Sequence, residues 1–178
     1  MFPHMTTDSF KFLPRMIAAL YTSTDREPEL PIPWTPLAKP LADCRFSLLT
    51  TGGLYVRGEQ RPFNLHRERS EPTWGDPDFR AIPTPAQAGA TPPTAIAAEH
   101  LHINTRFVEE DVNVLLPLTR FQELAANGTI SGLAPTAYSL MGFQGFPPDM
   151  TGWLQTAVPA ITAQLKQEEI DCLLLTPA

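Results

Sequence analysis

The chain has 178 residues, 43% of them apolar and 18% charged, which is enough for one domain with a sizeable core. Its formal net charge is −6 and no two basic residues are adjacent, which argues against a nucleic-acid surface or a polybasic membrane patch. No apolar stretch approaches the roughly 18 residues a spanning helix needs, and the opening MFPHMTTDSFKF lacks the pattern of a signal peptide. Cys44 and Cys172 form no CxxC and no disulfide framework, so a cytoplasmic domain is expected.

The N-terminal stretch DSFKFLPRMIAALY, residues 8–21, reads as an amphipathic helix capped by Asp8 or Ser9, with Pro14 working against it. Twenty prolines give about twice the usual share of ~5%. Five lie between Pro28 and Pro40, around Trp34, and six between Pro72 and Pro93, so both stretches are expected to be extended loops. RFSLLTT, residues 45–51, reads as a buried strand stopped by Gly52-Gly53. Residues 58–94 read as one long polar excursion. AIAAEHLHI then leads along a strand edge into a turn at Asn104, and DVNVLL, residues 111–116, reads as a strand.

Thr119 with Gln122 suggests a capping box for a helix through FQELAA, ended by Asn127-Gly128. Residues 130–140 read as a strand ending at Met141-Gly142. Leu154, Ala157, Val158, Ile161 and Leu165 share one face of a helix over 151–167, which Pro159 is expected to bend. IDCLLLT, residues 170–176, is an apolar run of the kind covered on both faces of a sheet. Alternating strands and helices predict an α/β fold: an at least partly parallel sheet with helices packed on it, one three-layer-like domain with Pro-rich loops. Residues 1–30 are read as an extension and 31–178 as that domain. In such sheets ligands gather at the carboxyl ends of the strands, which is where IDCLLLTPA leads.

The order of segments resembles a known family. WTPLAKPLADCRFSLLTTGGLYVRG is similar to the start of the selenoprotein B subunits of the glycine/sarcosine/betaine reductases and of D-proline reductase. GDPDFRAIP resembles their Gly-Asp-x-x-[Phe/Tyr]-Arg-x-Ile-Pro segment. HLHIN followed by DVNVLLPLTRFQELAANGTIS resembles their His-rich turn, strand and helix. YSLMGFQG resembles their Phe-Met-Gly turn, and LKQEEIDCLLLTPA resembles the strand before their redox residue. The likeness covers residues 31–178. It implies reductive cleavage of a C–N bond in a small amino acid or amine by a selenocysteine or cysteine. A pyruvoyl group on a partner subunit is implied where the scheme is that of D-proline reductase. The redox residue is expected directly after Ala178, with the reading frame interrupted at a selenocysteine codon. The alternative is a non-catalytic binding or assembly module, and a partner subunit or a homo-oligomer is expected in either case.

Candidate substrate-binding residues follow. Gly52 and Gly53 after a strand let the backbone approach an anion, or make a simple turn. Arg80 offers a fork for a carboxylate, or anchors the long loop. His100 and His102, two apart on an extended segment, face the same way and could protonate a leaving amine, or serve structural hydrogen bonds. Zinc needs more partners than this pair supplies, and no metal is expected. Asn104 stands where the family often has Asp, and Met141-Gly142 suggests a pocket wall. Asp111 and Asn113 are read as supports on one side of the DVNVLL strand. Cys44 and Cys172 are read as buried fillers.

Overall fold

The computed structural model describes residues 11–23, 31, 35–84 and 95–178. The suggested cap at Asp8 or Ser9, Trp34 with part of the first proline stretch, and the end of the second lie outside these residues. Two compact units divide at Pro36 and Leu37. The first holds helix α1 (Arg15–Ser23). It begins after Pro14, whose carbonyl accepts the Ala18 N–H at 2.9 Å. A proline just ahead of the first turn loses no helical hydrogen bond, so the helix starts after Pro14 and residues 11–14 stay outside it.

The second unit opens with a short 3-10 turn at Leu41–Asp43 and strand β1 (Arg45–Thr50), followed by β2 (Leu54–Val56). The expected long excursion carries structure: helix α2 (Leu65–Ser70) and strand β3 (Phe79–Pro83). The Asn64 side chain accepts the Arg67 N–H at 3.1 Å and caps α2. Strand β4 (Ile96–Ala98) and helix α3 (Arg106–Glu110) come next. DVNVLL is a 3-10 turn, Val112–Val114, and the strand expected there does not form. Asp111 Oδ1 accepts the Asn113 N–H at 2.9 Å, an Asx turn that pulls the backbone out of the extended state. Val112 and Leu116 are buried while Val114 is exposed, a helical spacing that a short apolar run also allows.

Helix α4 (Leu118–Ala126) follows, then β5 (Gly132–Leu133) and β6 (Thr136–Leu140) in place of one strand. Pro135 cannot donate to the ladder and marks the break. A π-helical turn at Trp153–Ala157 runs into α5 (Val158–Gln167), so Pro159 is accommodated by local widening of the helix just before it. Strand β7 (Cys172–Thr176) is the last of the described elements.

The main sheet is mixed and mostly parallel. β7 runs parallel along one flank of β1, from Phe46 opposite Cys172 to Thr50 opposite Thr176. β5 and β6 lie parallel to the start and the end of β1, and β3 pairs antiparallel with β6. β2 and β4 form a separate antiparallel pair. One face of the sheet packs Leu48, Ile82, Leu133 and Ala137 against Leu54, Val56, Val108, Val112, Leu116 and Leu118. Tyr138, Leu140, Leu49 and Phe79 on the other face pack on Trp153, Ala157, Ile161 and Leu165 of the last helix. Three layers result, and the protein has the α/β fold read from its sequence. β7 is not covered on both faces, since Leu173 is 37% and Leu175 61% exposed on its outer side. Among the described residues no helix is long and apolar enough to cross a membrane.

Candidate functional site at the strand ends

Parallel pairing brings the carboxyl ends of β1, β6 and β7 to one place. Thr50 Oγ1 donates to the Thr176 carbonyl at 2.9 Å, and Thr176 Oγ1 donates to the Leu115 carbonyl at 2.6 Å. The Ala178 N–H donates to Thr51 Oγ1 at 2.8 Å, and the Gly142 N–H to the Thr51 carbonyl at 2.9 Å. Gly52 bridges to Met141, the Gly53 N–H donates to the Leu140 carbonyl, and Glu99 N–H donates to the Gly53 carbonyl, both at 2.9 Å. Gly53 has φ +66°, and a Cβ there would run into the Glu99 carbonyl; at Gly52 a Cβ would meet the Leu115 side chain. The glycines let backbone lie on backbone, and the space beside them is filled by protein atoms.

Beside Ala178 an open groove of about 540 Å³ is lined by Ile103, Asn104, Phe107, Val114 and Leu115. Its rim is built by local polar chemistry. Asn104 Oδ1 accepts the Arg106 N–H at 3.2 Å and starts α3. Asn113 Nδ2 donates to Asp111 Oδ1 at 2.7 Å, while Asn113 Oδ1 accepts from the Thr119 N–H at 3.0 Å and the Thr119 hydroxyl at 2.8 Å. Thr119 therefore caps nothing, and the suggested capping box with Gln122 is replaced by Asn113 acting from six residues upstream. Asp111 and Asn113 support the groove wall through a turn and not through a shared strand face. The hydrogen bonds from Asn113 hold the Asp111 carboxyl below the usual range.

His100 directly follows Glu99, whose backbone lies against Gly53, and His102 stands two residues further on. Their rings meet edge-on with centroids 5.8 Å apart, and the His102 ring lies 4.9 Å from that of Phe143. The His102 N–H donates to His100 Nδ1 at 3.0 Å. Burial, and then the neighbouring His102, push His100 below the usual imidazole range, so it is neutral near pH 7. Sequence reading missed Glu68 of α2, whose buried carboxyl lies 3.8 Å from His102 Nε2. Burial first, then the Asp76 charge, raise it to about 7. Within LHRERS it looks like one more charge on a solvated helix, and no local signal marks it.

Arg80 is not part of this group. Its Nε donates to the Arg61 carbonyl at 2.7 Å, Nη1 to Phe79 at 3.0 Å and Nη2 to Pro62 at 3.3 Å, and its guanidinium lies 4.2 Å from the Phe63 ring centre. The fork anchors the segment before α2. Cys172 sits at the amino end of β7, four residues before Thr176, roughly 13 Å away at ~3.3 Å per residue. Burial first, then its neighbour Cys44, push its thiol up, which disfavours a thiolate. Among the described residues no group of three or more His, Cys, Asp or Glu is arranged to hold a metal.

No family model matches the chain, and no solved structure matches it. Among curated proteins, the D-proline reductase subunit gamma of Acetoanaerobium sticklandii is 33% identical over 143 residues, 80% of this chain. The chain spans about half of that relative's length, 52%. That likeness agrees with the family that the motifs resemble: this chain belongs to the D-proline/glycine reductase-like family.

Proposed function

We propose that this chain is the redox-strand subunit of a reductase that cleaves a C–N bond in a small amino acid or amine, with a partner subunit completing the enzyme. The observation that supports it is the convergence of three parallel strand ends on Thr51, Gly142 and Ala178 beside an open groove. In this reading a selenol or thiol follows CLLLTPA and stands at the groove mouth. Asn104 meets the polar end of the substrate, and Phe107, Val114 and Leu115 shelter its carbon skeleton. Glycine, its N-methylated derivatives and proline are the substrate class.

The test compares the 178-residue chain with one extended by a cysteine after Ala178 and the segment encoded beyond it, each with the partner subunit and a dithiol. Reductive C–N cleavage by the extended form alone, read as a released amine or, from proline, as the ring-opened amino acid, supports the reading. Turnover by the short form would move the nucleophile to Cys172 or elsewhere and overturn it. The outer side of β7, with Leu173 and Leu175 exposed, favours a second reading, a non-catalytic assembly module. That reading predicts complex formation by both forms and turnover by neither.

A further inference from the structure

At Glu68 burial and partners disagree. Its side chain is 0% exposed, and neither carboxyl oxygen has a hydrogen-bond partner among the described residues. The facing His102 imidazole, 3.8 Å away, is 55% exposed and reaches solvent. Beyond it, His100 accepts the His102 N–H on Nδ1, which assigns the ring proton of neutral His100 to Nε2. That nitrogen is also buried without a partner among the described residues. Two orphaned, proton-carrying groups thus flank one half-exposed imidazole. Polar groups are not left so in a packed interior without cost, and charge on Glu68 would add to it.

The other charges around Glu68 are Asp76 and Arg69. Asp76 disfavours the carboxylate, yet its own oxygens are engaged by the Asn64 N–H at 2.9 Å and the Asp78 N–H at 3.1 Å. Arg69 favours it but is exposed to solvent. His102 is left as the group within reach of the acid.

We propose that Glu68 and His102 form a proton-exchanging pair, in which the buried carboxylic acid is the store and the half-exposed imidazole carries the proton out to the strand-end site. The Glu68 O–H bond breaks and a His102 Nε2–H bond forms, leaving a carboxylate beside an imidazolium. The gap closes by a small rotamer change or through one water. The imidazolium then gives up its Nδ1 proton to the nitrogen that receives the electron pair of the breaking C–N bond. Solvent reloads Glu68 by the reverse path. This last use rests on the function proposed above; the pair itself does not. Glu68 acts through His102 and is a positioning residue. Burial keeps Glu68 protonated at pH values where an ordinary carboxyl has lost its proton.

The experiment follows the glutamate carboxyl carbons of the 13C-labelled 178-residue chain by NMR through a pH titration. One glutamate is expected to titrate well above the rest and to vanish from the spectrum in Glu68→Gln. Its midpoint is expected to rise by about one pH unit, a tenfold gain in proton affinity, when His102→Gln removes the imidazolium. His102→Phe, which keeps a ring against Phe143, should produce the same rise, and His66→Gln on the exposed side of α2 should leave the midpoint in place. A Glu68 midpoint in the ordinary carboxylate range, or one that neither His102 variant moves, overturns the pair. Coupled titration in a chain that supports turnover, with an unchanged pH profile in Glu68→Gln, would refute its use on the leaving amine. The titration needs no substrate, so failure of the reductase reading is seen separately.

Discussion

Replacing Glu68 by glutamine keeps the side-chain size and removes its titration. Burial first, and the Asp76 charge second, raise this carboxyl from its ordinary 4.5 to about 7. The folded protein thus binds the proton more tightly than the unfolded chain does. The favourable contribution is whole below pH 4.5, is lost as the pH rises toward 7, and stays lost above it. At about 1.36 kcal/mol for each pH unit, the loss is roughly 3 kcal/mol. Because the side chain is 0% exposed, solvent screening does not reduce that figure. Any fixed cost of burying the glutamine amide is the same at every pH. Urea unfolding of both proteins between about pH 4 and 8 gives the difference in stability. It is expected to shift in favour of Glu68→Gln by roughly 3 kcal/mol across that window. A flat difference, or a shift in favour of the native protein as the pH rises, would refute the reasoning.

Gly53→Ala sets a Cβ against the Glu99 carbonyl at a positive φ, and the urea midpoint should report a loss of at least about 2 kcal/mol. Asn113→Ala frees the Thr119 N–H and hydroxyl together; a loss of about 1–2 kcal/mol and faster amide hydrogen exchange over Thr119–Phe121 are expected. Arg80→Lys keeps the charge but loses the fork to three carbonyls, so thermal unfolding should show about 2 kcal/mol of destabilisation, with ligand affinity unchanged. The Cys172 thiol should be alkylated more slowly than a free cysteine at pH 7, with its rate midpoint displaced upward.

β1 and β7 were legible because a short apolar run bounded by glycine or by the end of a helix announces a strand, although the outer side of β7 is exposed. The stop of α4 at Asn127 and Gly128 was legible for the same local reason, with Gly128 at φ +77°. DVNVLL misled because six residues fit both a strand and a tight turn, and the decision lay with the Asp111 side chain. Phe79–Pro83 was lost inside a proline-rich stretch, although a proline at the end of an edge strand costs no ladder bond. The site divides similarly. The glycines and histidines are marked by residue type, whereas the burial of Glu68 is a tertiary fact. Arg80 has the residue type of a carboxylate binder, but three backbone carbonyls claim it first.

The threonine hydroxyls at the strand ends separate two properties that usually travel together. Along β1 and β7 the backbone ladder carries the stability of the pairing. Past its last rung, the heading of the chain is set by Thr50, Thr51 and Thr176, which tie the Thr176–Ala178 segment to β1 and to the Leu115 carbonyl. Exchanging one of these hydroxyls for a methyl leaves a β-branched residue and an intact ladder. What it releases is direction. Aim at the groove and strength of the fold are therefore held by different atoms, and evolution or design can retune the first while leaving the second alone.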